Sequence, residues 1–320
     1  MERIALLTSG GDASGMNAAV RSVVRTACYH KIKVFGVTHG YKGLISEDFN
    51  ELNRRSVSNI LNLGGTIIKT ARSKEFMTKK GQRKAVNNLK KHKIDGLVVI
   101  GGNGSFKGAH ILSEEWGVKC IGVPATIDND IAGTDFTIGS TTAVGVALDA
   151  IDKIRDTVTS LERIFVIEVM GRECGYIAMR VALAGGCEDV LLPEAKHDLN
   201  SICAEIKTAR RKGKVSWILV VAEGAGNAHD VAKVINKKTG FETRVTVLGH
   251  VQRGGTPAAT DRILASRLGS AAVTLLMQGE TDKMAGVVAD QIKVTPLSYA
   301  CSCKKDTYAD LHKLLKILET

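Results

Sequence analysis

One unit recurs along this chain and limits what it can become: a short apolar run rich in β-branched residues, a glycine-rich turn, then a helical stretch. Ile4–Thr8 runs into Ser9-Gly10-Gly11-Asp12 and an amphipathic stretch from Met16 to His30. Lys33–Thr38 ends at His39-Gly40, and Leu97–Ile100 runs into Gly101-Gly102-Asn103-Gly104-Ser105. Cys120–Val123 leads to Pro124-Ala125-Thr126-Ile127-Asp128-Asn129-Asp130, with a helix predicted over Thr141 to Asp156. Arg163–Val169, Trp217–Ala222 and Thr243–Leu248 repeat the plan and end in Met170-Gly171-Arg172, Glu223-Gly224 and Gly249-His250. Strands alternating with helices imply βαβ units and a mostly parallel sheet. The apolar runs are continuous, which predicts strands buried on both faces. No fixed-period repeat argues for a solenoid. The chain's 320 residues exceed one small core. The expected architecture is therefore α/β: two doubly wound, mostly parallel-sheet lobes, each a three-layer αβα sandwich. The lobes are expected at 1–138 plus 251–300 and at 139–250 plus 301–320.

Composition removes other classes. Glycine is high at 33 and proline low at 4, so a proline-rich disordered or collagen-like chain is excluded. Aromatics are only 4%, so the core must be built from Val, Ile, Leu and Ala. No apolar run reaches the roughly 20 residues of a membrane helix. The opening MERIALLTSGGD has no long apolar segment, which argues against a secretory leader and for a cytoplasmic protein. Seven cysteines include a lone C-x-C at Cys301 and Cys303, and reduced thiols are the expected state. The net charge of +11 suits either nucleic acid or small anions. Its densest stretch, Lys69 to Lys93, carries ten Lys or Arg against Glu75 alone, but only Phe76 is available to stack on a base. That favours a solvated basic helix over Lys79 to Lys93 and no nucleic-acid partner.

In open α/β sheets, ligands bind beyond the carboxyl ends of the strands. The predicted ends hold Gly10, Gly11, Asn103, Asp128, Asp130, Arg172, Glu223, His250 and Arg253. Glycine turns let backbone N–H groups approach an anion at a helix N-terminus. Two such turns point to a phosphate-bearing ligand, yet neither matches a P-loop or the dinucleotide fingerprint. Asp128 and Asp130, two apart in an extended loop, would face one side. One is then placed to take a hydroxyl proton while the other holds Mg2+; an Asx-type turn with solvated acids is the blander alternative. Arg163, Arg172, Arg244 and Arg253, with His250, flank strand ends, and arginine forks match phosphate oxygens. Together these features point to phosphoryl transfer on an anionic substrate, driven by positioning and charge stabilisation.

The motifs resemble the bacterial ATP-dependent 6-phosphofructokinases. TSGGD-x-x-GMNAA (8–19), GGTIIKTAR (64–72), GGNGS (101–105), P-x-TIDND-x-x-GTD-x-TIG (124–139), IDKIRDT (151–157), VMGR-x-CG (169–175), LGH-x-QRGG-x-P (248–257) and DR-x-LASRLG (261–269) carry the likeness. It implies phosphorylation of fructose 6-phosphate at its 1-hydroxyl by ATP with Mg2+, a glycolytic step. Asp128 would be the general base, and Arg72, Thr126 and Arg172 would act with it. Thr126, Met170, Gly171, Arg172 and Glu223 would hold the sugar. Arg163, Arg244, His250 and Arg253 would meet its phosphate, Arg163 and Arg244 from a neighbouring subunit of a homotetramer. Gly11, Arg72, Ser73, Gly102, Asn103, Gly104 and Ser105 would face the nucleotide, and Asn103 with Asp130 the metal. An effector site for ADP or phosphoenolpyruvate would use Arg21, Arg25, Arg54, Arg155, Gly186, Glu188, Lys212 and Lys214.

The chain also departs from the family pattern. GGDGS reads GGNGS, putting Asn103 where the family has its metal aspartate, and PGT reads PAT with Ala125. Ser73-Lys74, Met77, Asn59 and Val215-Ser216 replace commoner residues on the donor and effector sides. Asn103 motivates a weakly active or non-catalytic regulatory paralogue as one alternative. A pyrophosphate-dependent enzyme is the other; such members carry Asp and Lys where Gly104 and Ala125 stand here, which favours ATP.

Overall fold

The computed structural model describes residues 1–302, 305 and 309–318, so Cys303 of the C-x-C lies outside the described residues. The chain divides into two compact units, Met1–Thr142 with Arg253–Lys305, and Ala143–Gln252 with Asp306–Thr320. These divisions fall four, two and five residues beyond the boundaries read from the sequence.

The first unit holds β1 (Arg3–Ser9), α1 (Met16–Tyr29), β2 (Lys33–Val37), α2 (Gly40–Ser46), β3 (Phe49–Leu52), α3 (Lys79–Lys91), β4 (Gly96–Gly101), α4 (Asn103–Trp116) and β5 (Cys120–Pro124). Helix α5 (Ser140–Leu161) begins in this unit, and the chain continues in the second with β6 (Ile164–Val169), α6 (Tyr176–Ala184), β7 (Asp189–Leu191), α7 (Leu199–Arg211), β8 (Trp217–Ala222), α8 (Ala228–Thr239) and β9 (Thr243–Val247). It returns to the first unit with α9 (Ala259–Met277), β10 (Lys283–Val288), β11 (Gln291–Pro296) and α10 (Leu297–Ser302), and α11 (Ala309–Leu318) follows. None of the described helices is long and apolar enough to cross a membrane.

The first sheet has the order β11-β10-β5-β4-β1-β2-β3. Its five inner strands are parallel, and β3 and β11 pair antiparallel at the two edges. The second sheet, β7-β8-β6-β9, is parallel throughout. Helices flank both sheets as αβα layers. The central strands β4, β5 and β8 are buried along their whole length, as continuous apolar runs require. Strand β9 corrects that expectation: it lies at a sheet edge, and Arg244 and Val247 are exposed. The basic helix ends at Lys91; its Ala85, Val86 and Leu89 are buried while its lysines stay in water.

The β10–β11 hairpin has a two-residue turn, Ala289-Asp290, with both residues at positive φ. That is the sense of a type I′ turn, which normally announces itself as Asn-Gly or Asp-Gly. Without a glycine the hairpin leaves no turn signal in the sequence.

The start of α5 is fixed by one buried carboxylate. Asp261, 1% exposed, accepts from Gly139 N at 2.9 Å, Thr142 N at 2.8 Å and Thr142 Oγ1 at 2.5 Å. Thr142 Oγ1 in turn accepts from Ala258 N at 2.9 Å, just ahead of α9. Burial raises the Asp261 pKa, and these hydrogen bonds pull the other way. Asp261→Asn turns an NH2 group toward donors that need an acceptor. Leaving a buried donor unmet costs about 1–3 kcal/mol, so this variant is expected to unfold at lower urea than the parent; an unchanged midpoint would show that the clamp is dispensable.

Candidate active site

Three turns meet at the carboxyl ends of β1, β4 and β5. Ser9 is in register with Gly101, and Gly101 with Pro124, so the residues that follow emerge side by side at the ~4.8 Å strand spacing. The parallel order also reverses here: β1 leads to β2 on one side, while β4 leads to β5 on the other. Such a switch point opens a crevice in doubly wound sheets.

Each turn is secured by its own sequence. Thr70 Oγ1 donates to Gly10 O at 2.6 Å, and Thr8 Oγ1 to Lys69 O at 2.8 Å, which brings the loop bearing exposed Arg72 beside the first glycine turn. The Arg253 guanidinium lies over Gly11, where a Cβ would crowd Nη1 and push the arginine aside. Arg253 Nη1 donates to Asp12 O at 3.0 Å, so this arginine is held against the glycine turn of the first unit. Tyr41 Oη donates to Ser105 O at 2.5 Å and steadies the first turn of α4. Gly104 is different: a Cβ there would meet nothing within 4 Å and its φ needs no glycine, so packing does not explain it. The partly positive N-terminus of α4 opens onto that space.

The 126–130 segment corrects the expected extended loop. It is a turn, with Asp128 N donating to Thr126 Oγ1 at 3.2 Å and Asn129 in the left-handed region at φ 50. Asn129 Nδ2 binds Asp135 O at 3.0 Å, and Thr137 Oγ1 donates to Thr126 O at 2.6 Å, which locks the turn. Asp128 is buried. Asp130 accepts from Asn103 Nδ2 at 2.7 Å. That leaves Asn103 Oδ1 buried without a hydrogen-bond partner.

In the second unit, Glu223, directly after β8, accepts from Gly171 N at 3.1 Å and Arg172 N at 2.8 Å. Those residues follow β6 and sit at φ 147 and φ 53, a bend that presents the backbone of 170–172 at the strand end. Gln252, absent from the residues read from the sequence, accepts from Met170 N at 2.9 Å and shapes the same bend; its place in the QRGG motif beside His250 was the available signal. His250, exposed just after β9, lies at the same end of the sheet.

Arg163 and Arg244 do not join this group. Arg163 precedes β6, and Arg244 is in register with Phe165, so both sit toward the amino ends of the strands. Both are tied to Glu242, Arg163 through Nε at 2.8 Å. The six residues of β6 separate them from Arg172 by roughly 20 Å at 3.3 Å per residue. Within the second unit, Arg163 and Arg244, the two residues expected to serve a neighbouring subunit, thus lie away from the strand end that carries Arg172.

The expected effector residues divide as well. Arg21 and Arg25 lie on α1 and Arg54 follows β3, all in the first unit. Burial lowers the Arg21 pKa, and the charge of Arg25 lowers it further. In the second unit, Arg155 Nη2 donates to Gly186 O at 2.7 Å, and Lys214 Nζ lies 3.2 Å from Glu188. Lys212 caps α7. Glu188 and Lys214 precede β7 and β8, at the amino ends of the second sheet.

Fold and site together define a class, doubly wound α/β proteins built around phosphate-bearing ligands, and the comparisons narrow it. Residues 3–276 match the family described as Phosphofructokinase. The chain is 51% identical over 318 residues to an ATP-dependent 6-phosphofructokinase of Brevibacillus brevis, covering 99% of both chains. It is 52% identical over 318 residues to that of Bacillus cytotoxicus, again covering 99% of both. Among solved structures, phosphofructokinase from Saccharomyces cerevisiae superposes with a TM-score of 0.88 at 36% identity, over 99% of this chain and 46% of that one. The chain belongs to the phosphofructokinase family.

The Asn103–Asp130 hydrogen bond generates a prediction. Asn103→Asp replaces it with two carboxylates at hydrogen-bond distance. The variant is expected to melt below the parent in EDTA at neutral pH and to recover with added Mg2+, while the parent's melting shifts far less. Equal Mg2+ responses would show that position 103 contributes nothing to Mg2+ binding.

Proposed function

We propose that this protein is an ATP-dependent 6-phosphofructokinase, transferring the terminal phosphoryl group of ATP to the 1-hydroxyl of fructose 6-phosphate. The observation that carries the reading is the locked turn at 126–130. It buries the Asp128 carboxylate beside the two glycine turns of the first sheet. Relatives of the same name across nearly the whole chain support it.

The chain's own residues have distinct tasks in this reading. Asp128 takes the proton of the attacking hydroxyl, and Thr126 helps to place it. Met170, Gly171, Arg172 and Glu223 hold the sugar; Arg253 and His250 add charge for phosphate. Gly11, Arg72, Ser73, Gly102, Gly104 and Ser105 face the donor. The open space at Gly104 leaves room for ATP, and the short Ala125 offers no ammonium for pyrophosphate.

The oxygen donors fit a hard cation: Asn103 Oδ1 is buried with no partner, and Asp130 supplies a carboxylate. These two would hold Mg2+, which supplies charge neutralisation for the donor phosphates. An amide brings no negative charge, so the affinity for Mg2+ is lower than an aspartate would give.

Arg163 and Arg244 at the far end of the second sheet serve substrate bound to a second copy, so activity belongs to an oligomer, in this reading the homotetramer that the family resemblance implies. ADP or phosphoenolpyruvate would bind the basic residues at Arg21, Arg25, Arg54, Arg155, Lys212 and Lys214. No step calls for a membrane or nucleic acid, and a cytoplasmic location suits these substrates.

A coupled assay comparing ATP with pyrophosphate tests the donor; turnover only with pyrophosphate overturns the reading. With ATP, Asp128→Ser is expected to lower kcat by about 10²–10⁴-fold with little change in KM; near-parental kcat would remove Asp128 from its role. The regulatory-paralogue reading rests on Asn103 and requires no turnover at any Mg2+ concentration, with activity appearing in Asn103→Asp. Arg155→Ala is expected to blunt any response to ADP or phosphoenolpyruvate while basal turnover stays largely intact; an unaltered response would place the effector elsewhere.

A further inference from the structure

Helix α4 carries a second set of chemistry-bearing side chains beyond its first turn. His110 and Glu114 are four residues apart and therefore share one face of the helix. Asp282, immediately before β10, comes to meet them. His110 Nδ1 lies 2.8 and 2.9 Å from the two Asp282 carboxylate oxygens. One ligand-capable atom from each of the three residues lies within 4.8 Å of the others. His110 and Asp282 are partly buried, while Glu114 opens to solvent.

The charge at this cluster is unbalanced. Among the described residues no lysine or arginine pairs with Glu114 or Asp282; the adjacent Lys283 is engaged by Glu280 instead. Burial raises the Asp282 pKa, the His110 hydrogen bond lowers it, and the charge of Glu114 raises it again. Among the described residues, two carboxylates thus converge on one imidazole with no lysine or arginine paired to either. A divalent cation would relieve that repulsion.

We propose that His110, Glu114 and Asp282 form a binding site for a divalent first-row transition ion of the zinc class. One imidazole nitrogen with two carboxylate oxygens is a borderline ligand set, suited to Zn2+ or Co2+ and unlike the all-oxygen shells of Mg2+ and Ca2+. Bonds of about 2.0–2.2 Å put the ligands of a shared ion roughly 3–4 Å apart, so modest side-chain rotation closes the present spread. Three protein ligands leave a fourth position for water. The ion would tie α4 to the loop ahead of β10, two parts of the first unit. It is separate from the Asn103–Asp130 pair, because His110 lies seven residues, or about 10 Å, along the helix from Asn103.

The test uses the full chain stripped with a chelator and titrated with ZnCl2 by calorimetry, with Co2+ absorption as a second signal. One ion per chain is expected, retained in the presence of excess Mg2+. Glu114→Gln alters an exposed position, so its fold is checked by circular dichroism and kept. It should weaken zinc binding by at least about tenfold, a scale on which even supporting groups act. His110→Ala should weaken it further. Absence of zinc binding up to millimolar metal overturns the proposal. Parental affinity retained in both variants also overturns it and moves the binding to thiols elsewhere, and so does displacement of zinc by Mg2+.

Discussion

The register of three parallel strands governs the chemistry of the first unit. Because Ser9, Gly101 and Pro124 end level with one another, the turns after β1, β4 and β5 must share one narrow shelf. No side chain creates that arrangement; backbone pairing does, and the residues in the turns then decide what the shelf holds. Glycine at 11 yields its space to Arg253, glycine at 104 leaves its space open, and the turn at 126–130 folds a buried acid toward the same end. The second unit uses the same logic with different contents, Glu223 organising the backbone of Gly171 and Arg172.

Part of the positive net charge is locally committed. Several arginines are committed to local partners: Arg163 and Arg244 to Glu242, Arg267 to Asp290, Arg253 to a backbone carbonyl. The lysines of α3 cover a buried apolar stripe, as amphipathic side chains do. The excess of +11 favours attraction for small anions.

Much of the fold was legible in the sequence because buried parallel strands write themselves as continuous apolar runs. The inner strands β1, β4, β5, β6 and β8 fall within about a residue or two of the stretches read from the chain. The shorter or exposed pieces were not. Strand β7 has three residues, β3 carries Asn50 and Glu51 among its four, and the β10–β11 hairpin turns at Ala289-Asp290 without glycine. Glycine turns and acids at strand ends were legible because their positions follow from topology. The split of the arginines was not, since a residue beside a strand reads the same at either end until direction and partner are known. Gln252 escaped for a different reason: an amide that binds a backbone N–H carries no charge to draw attention. The Asn103–Asp130 contact is likewise a matter of distance, which no one-dimensional pattern states.

The position of β10 has a consequence for the order in which the protein is made. Strand β5 is an inner strand only because β10 pairs with its outer side. Roughly 160 residues separate the two in the chain, including all of the second unit's strands, so at about 5–20 residues per second the ribosome leaves that edge uncovered for about 8 to 30 s. During that interval Cys120–Pro124, apolar throughout, presents open backbone donors and acceptors to any neighbouring chain. The nascent protein is thus most vulnerable to mispairing while its second half is still being synthesised, and the late hairpin works as the closure that ends the hazard.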